Sequence, residues 1–112
     1  MKITQEVQDR KVTLKLEGNF TYTQRKAFQE VMRTVTTDQV EHIIIDLSQV
    51  VFLDSAALGL LMITHRQLQA ERCTLSLAYP QPTVRQINEL ANLLKTITMI
   101  ESGVSRLAKK SA

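Results

Sequence analysis

Hydrophobic positions along the chain switch between two periods. Residues 2–7 and 11–17 are short runs with partial alternation, clearest at Val12, Leu14 and Leu16, which places alternate side chains on one face of a strand. Between them Gln8-Asp9-Arg10 reads as a hairpin turn of about three residues, and Gly18 as the end of the second strand. Thr21 or Thr23 can then cap a helix carrying Ala27, Phe28, Val31, Met32 and Val35 at helical spacing, with a stop near Thr36-Thr37-Asp38. His42-Ile43-Ile44-Ile45-Asp46 is a nearly unbroken β-branched run, which predicts a short strand covered on both faces, central and parallel. After a connecting loop, Asp54-Ser55 opens a second helix running to about Ala70. Cys73 to Tyr79 is a further strand. Pro80-Gln81-Pro82-Thr83 is a break from which Pro82 or Thr83 starts a third helix striped by Val84, Ile87, Leu90, Ala91 and Leu94. Thr96 to Ile100 reads as the last strand. Val104, Leu107 and Ala108 predict a short terminal helix.

The order is thus β-β-α-β-α-β-α-β-α. Strands that alternate with helices predict an α/β fold: a mixed, mostly parallel sheet with an antiparallel edge hairpin and about four helices. A length of 112 residues fits one domain spanning 1–112, and a 44% hydrophobic content is enough for its core.

Composition narrows the function. The longest apolar stretch, Ala56 to Ile63, falls far short of the ~20 residues a membrane helix needs, so membrane insertion is not expected. The N-terminal MKITQEVQDR lacks the apolar core of an export signal, and the single Cys73 cannot form an intrachain disulfide, which together predict a cytoplasmic protein. Cys73 itself reads as a small core residue. The net charge is +3 with the basic residues scattered, apart from Lys109-Lys110, so no nucleic-acid face is expected. Three glycines form neither a P-loop nor a dinucleotide fingerprint. His42 and His65 fall on different elements, each structural or exposed, and one Cys with two His is too few ligands for a metal. No catalytic residues, cofactor or metal are expected, and the chain does not read as an enzyme.

The second helix is the informative one. Advancing about 100° per residue from Ser55, Ala57, Leu60, Leu61, Thr64 and Leu68 gather on the side to be buried. Gly59, Met62, Arg66 and Gln69 fall near Ser55 on the solvent side, flanked by Leu58 and Ile63. That exposed surface is flat at Gly59 and apolar at Leu58 and Met62, the make-up of a patch another protein approaches closely. Alternatively, Met62 only fills a gap. Ser55 also has two readings. As a plain N-cap its hydroxyl accepts a backbone N–H. As a modification site it would hold a phosphate at the positive end of the helix dipole, so that the domain tolerates a charge that a docked partner does not.

Ile43-Ile44-Ile45-Asp46-Leu47-Ser48, followed by Val50-Val51-Phe52-Leu53-Asp54-Ser55-Ala56-Ala57-Leu58-Gly59, resembles the signature of the STAS family of anti-sigma factor antagonists. That signature is an apolar strand, a DLS-like segment, then a helix opening Asp-Ser-[Ser/Thr]-Gly-Leu-Gly. The resemblance implies that Ser55 is the phosphoacceptor and Asp54 the acidic residue beside it. It implies a protein that binds a serine-kinase anti-sigma factor when unmodified, is released on phosphorylation, and is restored by a metal-dependent serine phosphatase. The docking surface so implied is Asp54, Ser55, Ala56, Leu58, Gly59 and Met62, with Asn19 and Thr21 in the loop after the second strand. Two departures stand out. Ala56-Ala57 replaces the usual Ser/Thr-Gly, and Gly18-Asn19-Phe20-Thr21 replaces a Gly-Glu-Leu-Asp loop. Stand-alone STAS proteins also serve as accessory subunits of lipid-type ABC transporters, and this alternative needs no phosphorylation.

Overall fold

The structure, a computed structural model, describes residues 1–93 and 95–100. The expected terminal helix at Val104, Leu107 and Ala108 lies outside the described residues. Five strands lie side by side in chain order: β1 (Lys2–Gln8), β2 (Lys11–Phe20), β3 (His42–Leu53), β4 (Thr74–Ala78) and β5 (Thr98–Ile100). β1 and β2 form the antiparallel edge hairpin, and the remaining neighbours are parallel. The helices are α1 (Arg25–Val35) and α2 (Ser55–Ala70), and the expected third helix is two short ones, α3 (Pro82–Arg85) and α4 (Asn88–Leu93). Thr21 starts this helical region with a short 3-10 turn, its N–H donating to the Gln24 side-chain oxygen at 2.9 Å, and α1 follows.

Every parallel crossover steps the same way across the sheet, and right-handed crossovers of that kind put their helices on one face. Burial agrees. Val12, Leu14, Leu16, Ile43, Ile45, Leu47, Leu75 and Leu77 are buried on the shared face, with Phe28, Met32 and Val35 of α1 and Ala57, Leu60, Leu61 and Leu68 of α2 in the same core. Phe20 and Phe28 pack with ring centroids 5.0 Å apart. Ala27, counted in the helical stripe, is exposed. β3 was expected to be covered on both faces, yet Ile44 is only half-buried between two fully buried isoleucines, because among the described residues no helix crosses the opposite face.

Two strands outrun their expected ends, which positions the site. Gly18 does not stop β2. It sits at φ +105 where the pairing shifts register, and the strand continues to Phe20. β3 runs on to Leu53 in place of a connecting loop, with two irregularities that hide its period. One falls at Leu47-Ser48, where the Asp46 carboxylate accepts the Ser48 N–H at 2.8 Å, and the other at Val51. A bulge puts two residues opposite one and re-aims side chains. After it Val51 and Phe52 are both exposed, while Val50 and Leu53 stay buried. β3 therefore delivers Asp54 directly to the helix start.

Candidate functional site

Asp54 is the N-cap of α2, with extended backbone, and its Oδ1 accepts the Ala57 N–H at 2.8 Å. Its Oδ2 accepts the Tyr22 N–H at 2.9 Å, and its own N–H donates to the Phe20 carbonyl at 3.3 Å. One carboxylate thus ties the end of β3, the turn after β2 and the first turn of α2. This settles the reading of Ser55 as a plain cap: the cap is Asp54, and Ser55 is the first residue of the helix. Ser55 is exposed, and its hydroxyl makes no hydrogen bond among the described residues. Asp54 occupies the Ala57 N–H, and its carbonyl accepts from Leu58, so that among the described residues the Ser55 and Ala56 N–H groups have no acceptor at the positive end of the helix.

The expected docking residues divide. Ser55, Ala56 and Gly59 are exposed, and Met62 is half-buried against the core. A Cβ added to Gly59 would meet nothing within 4 Å, so the helix is flat there without any packing reason. Leu58, expected at the rim of the exposed face, is 4% exposed and belongs to the core. Leu58 is covered because α4 packs beside α2 on that flank. Ser55, Leu58, Gly59 and Met62 line a groove of about 250 Å³ whose other wall is Asn92 and Leu93 of α4. Asn19 is exposed and pairs with Phe52 across β2 and β3, while Thr21 is half-buried with its hydroxyl on Gln24 at 2.7 Å.

Sequence reasoning missed four neighbours of this site. Tyr22 is 59% exposed with the Arg25 guanidinium 4.2 Å from its ring centroid, and Val51 and Phe52, at the end of β3 just before Asp54, are about half exposed. Asn92 comes from α4. No period marks Val51 and Phe52, because the bulge breaks it. The hydrogen bond from Tyr22 to Asp54 joins residues 32 positions apart, so no local pattern signals it.

Other reactive groups lie elsewhere. His42 bonds the Thr74 hydroxyl through Nδ1, and partial burial, then the Lys11 charge, pull its pKa below the ordinary 6.5. His65 is buried, with neither ring nitrogen paired among the described residues. Cys73 is buried, and burial, then Glu71, push its thiol up. Among the described residues no three His, Cys, Asp or Glu side chains gather as a metal site would require, and no helix is long and apolar enough to cross a membrane.

Comparison with known proteins agrees with the fold. A family model described as STAS domain matches residues 2–105. A STAS-domain containing protein of Pseudomonas aeruginosa (strain UCBPP-PA14) is 28% identical over 81 residues, 72% of this chain and 79% of that protein. An anti-sigma factor antagonist from Mycobacterium paratuberculosis superposes with a TM-score of 0.78 at 24% identity, covering 96% of this chain and 92% of the other. The anti-sigma factor antagonist SpoIIAA in its unphosphorylated form gives 0.75 at 22%, over 97% and 95% of the two chains. The phosphorylated Bacillus form gives 0.70 at 21%, over 99% and 100%. At these identities the structural likeness speaks for the fold.

Proposed function

The chain belongs to the STAS domain family, and on that premise we propose that it is a partner-switching regulator of the anti-sigma factor antagonist type. In this reading it acts in the cytoplasm without catalysing a reaction, and binds a serine-kinase anti-sigma factor through the exposed start of α2. Phosphorylation of Ser55 by that kinase releases it, and a metal-dependent serine phosphatase restores it. The observation that carries the reading is the division of labour at the helix start: Asp54 caps the helix, and Ser55 is left exposed with its hydroxyl unengaged among the described residues.

The chemistry follows from that geometry. A phosphate on Ser55 would find the free Ser55 and Ala56 N–H groups and the positive end of a 16-residue helix, so the fold accommodates it. For a docked partner the same group adds about −1.5 to −2 charges beside the Asp54 carboxylate, at a contact floored by Met62 and flat at Gly59. Like-charge repulsion and desolvation then act on the complex and not on the fold. Ala56 leaves Ser55 as the one hydroxyl in the motif. The flatness at Gly59, kept at a helix-propensity cost of about 1 kcal/mol, supports close approach by another surface.

The test is a matched pair of variants used as bait in cell extract. Ser55→Ala should retain a serine kinase and Ser55→Asp should lose it, with both folded by circular dichroism. Equal retention by the two counts against the reading. Capture of a transporter ATPase subunit by both would select the accessory-subunit role.

A further inference from the structure

The sheet ends on one side in β1, a regular seven-residue strand with no proline and no register shift along its pairing with β2. Six of its seven residues are exposed, including Val7 at 67%. Edge strands in monomeric proteins are usually blunted by proline, a bulge, a covering segment or charged side chains; among the described residues β1 has only the last, Lys2 and Glu6. Among the described residues the opposite edge is β5, Thr98–Ile100.

Gln8 and Lys11 close the two-residue turn Asp9-Arg10. The closing pair of such a hairpin exchanges hydrogen bonds, and the pattern alternates along the strand. Gln8, Glu6, Thr4 and Lys2 therefore turn their backbone groups toward β2, and Val7, Gln5 and Ile3 turn theirs to the open side. The open side is self-complementary. When the strand is laid antiparallel on itself about Thr4, Lys2 falls opposite Glu6 in both directions. Ile3 falls opposite Gln5, so the outward backbone groups meet outward backbone groups. Val7 falls opposite Met1, itself a partly buried apolar residue packed on the core. No like charges are placed opposite one another.

We propose that two copies of this chain associate through β1, antiparallel about Thr4, into one continuous ten-stranded sheet. The occupant of the edge is a second copy, selected by the crossed Lys2 and Glu6 charges and by the match of outward backbone groups. β1 is separated from β3 by β2, so this contact leaves the Ser55 face open to a different partner.

Sedimentation equilibrium of the full chain tests this. The mass should rise from one chain to two as concentration increases. Gln5→Pro removes an outward N–H that β2 does not use, and should hold the mass at one chain with the circular dichroism unchanged. Lys2→Glu should weaken the dimer, and Lys2→Glu with Glu6→Lys should restore it, which a merely structural role for either residue would not do. A wild-type chain that stays monomeric at the highest concentration reached overturns the proposal. So does a dimer that survives Gln5→Pro, or a charge swap that fails to restore what Lys2→Glu weakened.

Discussion

Tyr22 and Asp54, 32 positions apart in sequence, are joined by a 2.9 Å hydrogen bond from the tyrosine N–H to a carboxylate oxygen. The other oxygen of that carboxylate holds the first turn of α2. Removing the side chain therefore frays two elements together. Asp54→Ala should lower stability by about 1–2 kcal/mol, the usual scale for a lost N-cap with one further bond. Asp54→Asn keeps one acceptor oxygen and should cost less. Urea denaturation of the two variants checks the order, and an Asp54→Ala chain as stable as the parent would refute the double tie.

Gly59 separates stability from docking. Because a Cβ there touches nothing within 4 Å, Gly59→Ala should raise stability by about 1 kcal/mol through helix propensity alone. Gly59→Trp should also fold, yet it should abolish partner capture by filling the flat surface beside Ser55. Thermal melting reads the first effect and a pull-down the second.

Arg72 ends α2 in the left-handed region at φ +60, with the Cys73 N–H on the Leu68 carbonyl at 2.9 Å and the Arg72 N–H on that of Gln69 at 3.1 Å. This is the helix-ending geometry that glycine adopts without strain. Arg72→Gly should accordingly stabilise the chain by about 0.5–1 kcal/mol, the left-handed strain relieved less the added chain entropy. Equilibrium unfolding checks the sign.

His42 gives a pH dependence. Its folded-state pKa lies below the ordinary 6.5, first through burial and then through Lys11. The unfolded chain then binds the proton more readily, so stability is level at higher pH and falls as the pH drops through about 6.5 and below. His42→Asn should flatten that decline. Denaturation midpoints of the parent and the variant, measured across the same pH range, supply the comparison.

The element order and the hairpin edge were legible because each element keeps one period: alternation in Val12, Leu14 and Leu16, and helical spacing in Phe28, Met32 and Val35. The errors sit where period fails. The bulges at Leu47-Ser48 and Val51 make a continuous strand read as strand then loop, and Gly18 reads as a stop although its positive φ serves a register shift within β2. The exposed half of α2 was readable from angles alone for Gly59 and Met62. Leu58 was not, because its cover comes from α4, a neighbour no helical wheel contains. Ser55 was found by its place in the motif. That its hydroxyl is free depends on Asp54 adopting the cap, and either residue could have taken that role on sequence alone.

In the proposed function, charge on one hydroxyl decides whether a partner stays bound while the fold is unaffected. The decisive measurement is titration calorimetry of the captured serine kinase against the chain carrying phosphoserine at position 55 and against the unmodified chain. Binding should be weaker by at least about tenfold, 1.4 kcal/mol, for the phosphorylated chain, with unchanged circular dichroism. Equal affinity for the two forms would contradict it.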